Sequence, residues 1–194
     1  GASNLIVANA IRSNNSYGVR LFGTAVDANR IDGNLITGPT NQDYGVYVSD
    51  GDANVITNNT IRGQSLYGIY MDVTAASNTI VGNVIRSNDA SGLWLNGAAV
   101  DGNRIVSNTV DGGLIVPPFQ GYGVWITSGD MNLVTNNTIR GHSLYGVWMD
   151  GDAASNTVRG NTIRSNDSAG VYLSGTGVDA NRVAANIIDG TLAV

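Results

Sequence analysis

The pattern Asn-x-(Ile/Val)-x-x-Asn-x-(Ile/Val) runs from one end of the chain to the other, starting at Asn4, Asn29, Asn54, Asn78, Asn103, Asn132, Asn156 and Asn181. Successive starts lie 25, 25, 24, 25, 29, 24 and 25 residues apart. A unit this short cannot bury an apolar face alone, so neighbouring units must stack and share one core. A second motif, Gly-(Val/Ile/Leu)-x-aliphatic, begins at Gly18, Gly45, Gly68, Gly92, Gly123, Gly146 and Gly170. Strand residues alternate between faces, so the two motifs predict four inward aliphatic columns. The first runs from Ile6 to Val183 and the second from Ile11 to Ile188. The third and fourth run from Val19 to Val171 and from Leu21 to Leu173.

A period near 25 leaves no length for the helix of a leucine-rich or helical repeat, and composition agrees. The chain contains no Lys and no Glu, which helices favour, while Gly, Asn, Thr, Val and Ile are abundant. The expected fold is all-β: a parallel β-helix (solenoid) of about eight coils, 24–25 residues per coil, with three short strands in each. Residues 1–194 are expected to form a single domain. The two Asn columns are expected at turns, where Asn tolerates the left-handed backbone and stacked amides hydrogen-bond from coil to coil. That assigns them to the scaffold rather than to sugar binding. A slower period overlies the coils, because residues 44–112 align without gaps on residues 122–190 at an offset of 78. Surface chemistry should therefore recur every three coils, about 14 Å at 4.8 Å per coil.

In these Asn, Gly and aliphatic positions the chain resembles the right-handed β-helix repeat families of the pectate-lyase-like superfamily. The resemblance covers essentially the whole sequence and implies a right-handed helix. It does not select an activity, since members include lyases, hydrolases, epimerases, tailspikes, adhesins and stalk-like surface proteins. Polygalacturonase-like hydrolases carry neighbouring Asp residues and Gly-His-Gly; this chain has no Asp-Asp pair and reads Gly141-His142-Ser143. Epimerase-like modules follow Tyr-Gly with Asp-Pro-His, whereas Tyr44, Tyr67, Tyr122 and Tyr145 are followed by Gly and alternating aliphatic and aromatic residues.

Without Cys, Lys or Glu, the groups left for chemistry are Asp, Arg, Tyr, Ser and one His. His142 aligns with Gln64 and is expected to be a surface turn residue. Asp50, Asp52, Asp150 and Asp152 are weak candidates for a calcium site, against the ordinary use of Asp-Gly in turns. No cofactor is otherwise expected. A polysaccharide lyase using Asp, Arg and calcium, or an epimerase-like enzyme, acting on acidic polysaccharide stays open as the alternative to a chain without catalytic residues.

Between the two inward residues of each third strand stands an outward one, giving the column Arg20, Tyr47, Tyr70, Trp94, Trp125, Trp148 and Tyr172. Flat rings in a row suit the apolar faces of sugars or a protein partner, and they also stabilise a parallel sheet. A second outward column reads Arg12, Thr37, Arg62, Arg86, Asp111, Arg140, Arg164 and Asp189. Asp111 stands between Arg86 and Arg140 and can pair with either, while the adjacent like charges, Arg62 with Arg86 and Arg140 with Arg164, are expected to find relief in Asp89 and Asp167 or in an acidic polysaccharide. Residues 112–120 form an apolar, proline-containing segment with a four-residue insertion that could wall a groove beside the aromatic column or equally cover exposed core at a weak coil.

The net charge of −5 argues against general nucleic-acid binding, and no apolar run has the ~20 residues that span a bilayer. Residues 2–4 repeat those at 76–78 and 154–156, and neither end has a polar cap. This reads as part of a longer solenoid whose bare end strands favour end-to-end self-association or contact with the rest of a parent polypeptide. The expectation is a structural or adhesive segment of a secreted or cell-surface protein. Polysaccharide is the expected partner, met by Tyr47, Tyr70, Trp94, Trp125, Trp148 and Tyr172 together with Arg62, Arg86, Arg140 and Arg164.

Overall fold

The computed structural model describes residues 3–38, 41–113, 120–189 and 192–193. The first coil supplies β1 (Leu5–Val7), β2 (Ala10–Arg12) and β3 (Tyr17–Leu21). The second supplies β4 (Arg30–Asp32), β5 (Leu35–Thr37) and β6 (Tyr44–Val48). Each later strand pairs in parallel with its counterpart in the coil before, giving three sheets of eight strands and no helix among the described residues. This is the all-β parallel solenoid that the repeat requires. Register sets like on like: Ile6 faces Ile31, Ile11 faces Ile36 and Val19 faces Val46.

The inward columns merge into one core that runs the length of the described helix. From Ile31 to Ile163 the first two columns are fully buried, and Val46, Ile69, Leu93, Val124 and Val147 close the third side. Each such side chain contributes about 1.5–3 kcal/mol by leaving water. A fifth inward column, unmarked by either motif, lies in the turn from the third sheet to the first. Val26, Ala75, Val100, Ala153 and Val178 belong to it. Gly51 and Gly129 take the intervening places, where a Cβ would meet the Val26 and Val100 carbonyl oxygens at 2.5 and 2.7 Å. The order Val, Gly, Ala then repeats, so the three-coil period reaches the interior.

The sharp bends do not sit on the ladder asparagines. Left-handed φ falls on the residue before each one from Asn9 onward: Ala28 (φ 55°) before Asn29, Ala53 (φ 53°) before Asn54 and Ser107 (φ 54°) before Asn108. Asn58 and Asn136 adopt it themselves, but as the residues preceding Asn59 and Asn137. The expectation that Asn is present for its left-handed tolerance is therefore corrected. Its side chain turns inward and is buried, and it satisfies the backbone that the bend frees. Asn54 Oδ1 accepts the Asn29 backbone N–H at 2.8 Å and the Asn29 amide at 2.9 Å. Asn59 Nδ2 donates to the Ile31 carbonyl at 2.9 Å.

The glycine that opens the Gly-(Val/Ile/Leu)-x-aliphatic motif is sterically required. A Cβ on Gly68 would lie 2.5 Å from Ile85 Cγ2 and 2.6 Å from the Gly92 carbonyl oxygen. Glycine and the next residue therefore both approach the core, and strict alternation fails there. Tyr44, just before such a glycine, consequently stands beside outward Tyr47.

Asn108 accepts the Asn83 backbone N–H and donates to the Ile80 and Val106 carbonyls. Asn108→Ala should cost about 2–4 kcal/mol in denaturant unfolding, because buried partners on two coils are orphaned. Val73 holds a left-handed φ of 61° where its three-coil counterpart is Gly151 (φ 65°). Its side chain is exposed, so Val73→Gly should raise stability by about 1 kcal/mol, read as a higher melting temperature.

Candidate functional site

On the third sheet the aromatic column runs ring against ring along the helix axis from Tyr47 to Trp148. Tyr47 and Tyr70 lie 5.4 Å apart at 9°, Trp94 and Trp125 4.4 Å apart at 10°, and Trp125 and Trp148 4.7 Å apart at 12°. These separations match the spacing of parallel strands. The faces that a sugar ring would use are thus covered by neighbouring rings, and the ring edges point outward. Tyr17, Tyr44, Tyr67, Tyr122 and Tyr145 form a second column against the first, with Tyr122 4.9 Å from Trp148. Sequence reasoning missed this column because it took alternation to hold through the glycine; the recurring Tyr-Gly pair was its signal.

The polar edges are also engaged from coil to coil. Trp94, Trp125 and Trp148 donate their indole N–H to Thr127 (3.1 Å), Asp150 (3.0 Å) and Ser174 (2.9 Å). The Tyr47 hydroxyl donates to Asp72 at 3.1 Å, and Asn96 donates to the Tyr70 hydroxyl at 2.9 Å. Burial raises the pKa of Tyr44, Tyr47, Tyr67, Tyr70 and Tyr122, so these phenols stay protonated and neutral. At one end Arg20 lies 4.1 Å over the Phe22 ring and 4.9 Å over that of Tyr17.

The second sheet carries the charged column in strict register. Arg62 stands beside Arg86, Arg140 beside Arg164, and Asp111 between Arg86 and Arg140. Asp111 Oδ2 accepts both Nε (3.0 Å) and a terminal nitrogen (2.8 Å) of Arg140. The other ion pair among the described residues is Arg30–Asp32, in the first sheet, where the guanidinium lowers the Asp32 pKa. The expected relief by Asp89 and Asp167 is not what the structure shows. Arg12, Arg62 and Arg86 instead wall an open groove of about 710 Å³ floored by Leu35 and Thr37, with Ser13 and Ser87 at its sides.

The four candidate calcium ligands serve separate turns. Asp50 accepts from Ser49, Asp52 from the Ala76 backbone N–H, and Asp150 from Trp125, while the Asp152 backbone N–H donates to Ser128. No set of three metal-ligating side chains converges among the described residues. Of the insertion, residues 114–119 lie outside the described residues, so the expected groove wall is not placed.

His142 corrects a second expectation. It is completely buried, not a surface turn residue. It belongs to a third inward polar column with Asn14, Gln42, Gln64, Asn88, Gln120 and Asn166. Asn88 accepts the Gln64 backbone N–H, Gln120 that of Asn88 and Asn166 that of His142, at 3.1–3.2 Å. Nδ1 of His142 accepts from Gln120 Nε2 at 3.2 Å, which places the ring proton on Nε2. Alignment with Gln64 was the signal, but it marked a buried amide position rather than a tolerant surface.

The chain belongs to the family described as the right handed beta helix region, whose profile matches residues 1–132 and 98–192. Among solved structures it is similar to a variant of the periplasmic alginate epimerase AlgG, with a TM-score of 0.83 and 18% identity over 95% of this chain and 45% of that one. It is also similar to the alginate lyase from Paenibacillus sp. str. FPU-7 (TM-score 0.67, 16% identity, 96% of this chain and 78% of that one). A third is the enzymatically active domain of bacteriophage CBA120 tailspike protein 2 (TM-score 0.61, 11% identity, 98% and 38%). At these identities the likeness is one of fold, and the chain spans less than half the length of the epimerase. No curated protein matches the sequence.

Burial lowers the His142 pKa to about 3, against about 6.5 for a solvated histidine. Between those values the unfolded chain binds a proton that the folded chain refuses, so stability falls as pH drops through this window. His142→Gln should flatten that slope, seen by comparing denaturant midpoints of the two proteins from pH 7 to pH 4. At neutral pH the substitution should cost less than Asn108→Ala.

Proposed function

We propose that this chain is a structural or adhesive segment of a secreted or cell-surface protein that contacts polysaccharide along its outward faces without transforming it. The observation that carries the reading is the column of Arg12, Arg62 and Arg86, which has no carboxylate partner among the described residues and stands beside an open groove in a chain of net negative charge. Desolvating such a row is favourable when a polyanion supplies the missing charges. Arg140 and Arg164 extend the same face further along the axis. The similar structures support the choice of partner, since two are named for alginate and the third is a phage tailspike.

In this reading Tyr47, Tyr70, Trp94, Trp125, Trp148 and Tyr172 meet a ligand through their ring edges rather than as stacking platforms, and the main charge contact falls to the arginines. A lyase or epimerase would need a free base beside a charge-stabilising group. His142 is sealed in the core, and Arg140 and Asp111 are bound to each other. No calcium is required. Residues 1–194 act as one unit. The flanks of β1, β2 and β3, and of the strands at Arg182–Ala184, Ile187–Asp189 and Leu192–Ala193, remain for coaxial pairing with a second copy or with further coils of a longer chain. No helix of the described residues is long and apolar enough to cross a membrane.

Affinity electrophoresis in gels containing alginate or polygalacturonate tests the proposal. Retardation that disappears with added salt is expected, with no rise in ultraviolet absorbance from unsaturated uronate, with or without calcium. Unsaturated product would overturn the non-catalytic reading, and unretarded migration in both gels would overturn the polysaccharide reading.

A further inference from the structure

The charged column of the second sheet repeats every three coils, apart from one place where the repeat is broken. Its third position in the unit is Asp111 in one block and Asp189 in the next, but Thr37 in the first. Asp111 pairs in register with Arg86 on one side and Arg140 on the other, and it binds the Arg140 guanidinium through two hydrogen bonds. Thr37 stands in the same register between Arg12 and Arg62 and brings no charge to either. The groove opens at this position.

We infer that the groove over Thr37 is a binding subsite for the carboxylates of a uronate chain lying along the helix axis. The inference rests on the polysaccharide reading above and assigns it a place and a ligand chemistry. Strands in one sheet lie about 4.8 Å apart, which sets Arg62 and Arg86 about 5 Å apart and Arg12 and Arg62 about 10 Å apart. A ligand with carboxylates strung along its length meets all three, each guanidinium presenting paired N–H donors that match a carboxylate. Leu35, on the same outward side of β5 as Thr37, gives the floor an apolar patch for the C–H face of a sugar ring. The Ser13 and Ser87 hydroxyls border the site and suit the ring hydroxyls. Asp at position 37 would place on this site the carboxylate that binds Arg140 from Asp111. The residue that opens the site is therefore Thr37, and the arginines hold the ligand.

The test is titration calorimetry of the full chain with a galacturonate hexamer at low salt, comparing wild type with Thr37→Asp and Thr74→Asp. Both substitutions copy residues that three-coil counterparts already carry, Asp111 and Asp152, so both backbones accept them. Thr74 lies exposed in the turn after the third sheet, away from the groove, and controls for the change in net charge. Wild type should bind, Thr37→Asp should bind at least tenfold more weakly, and Thr74→Asp should stay within twofold of wild type. Equal binding by wild type and Thr37→Asp would overturn the subsite while leaving the polysaccharide reading standing. Failure of wild type to bind the hexamer, with no retardation in the polyuronate gels, would overturn both. Tighter binding of a sulfated oligosaccharide or of a single-stranded oligonucleotide, lost in Thr37→Asp, would overturn the assignment to carboxylates.

Discussion

Everything in this fold depends on how the backbone is satisfied at bends that are too sharp for a strand. A left-handed residue such as Ala28 or Ser107 costs about 1–2 kcal/mol and turns backbone groups away from the sheets. The inward amide that follows accepts the N–H of the coil before and donates to a carbonyl or to the next amide. Each bend is tolerable only because another coil, bent alike, lies against it. The interaction is intermolecular in character although it occurs within one chain, and it forces coils to match in length and register. Aliphatic columns alone would allow a strand to slip by two residues. An inward amide facing a carbonyl would not.

Strict register converts a repeat in sequence into a pattern on a surface. Any residue type that recurs at one coil position becomes a line parallel to the axis, about 5 Å between members. The aromatic stack, the arginine column and the Val, Gly, Ala column inside the long turn all arise in this way. The three-coil period means that a surface feature present in one block is normally present in the next. A departure such as Thr37 opposite Asp111 therefore carries more information than the residue would in an irregular fold.

The aliphatic columns, the three sheets and the outward position of Trp94, Trp125 and Trp148 were legible in the sequence because each follows from period and alternation. What failed did so where alternation fails. The glycine before Val46 lies too close to the neighbouring coil for a side chain, so Tyr44 turns outward beside Tyr47 instead of inward. His142 was misplaced because its alignment with Gln64 was taken as tolerance, when both positions face the interior of a polar column. The left-handed residue was assigned to Asn because Asn is the conspicuous letter. The bend falls on its predecessor, which is mostly Ala, Ser or Gly but also Asn58, Met131 and Asn136, so no single residue type signals it. The pairing of charges was legible in part: Asp111 stands a coil away from Arg140 in the outward column and binds it, whereas Asp89, three residues after Arg86 in sequence, makes no ion pair with it among the described residues.

The two conspicuous outward faces consequently differ in what they have left to offer. Rings stacked at 4.4–5.4 Å bury one another's faces, and their N–H and O–H groups are bound to the next coil, so the aromatic column is largely satisfied by itself. It stiffens the third sheet as the inward amides stiffen the bends. Like charges cannot satisfy one another in this way. Arg62 above Arg86 is repelled by the register that brings the rings together, and the sheet holds the pair in place because the core beneath is worth far more than the repulsion on an exposed face. A stack of aromatics is thus a finished interaction, whereas a stack of arginines is an unfinished one. The unfinished face is the one from which binding should be expected.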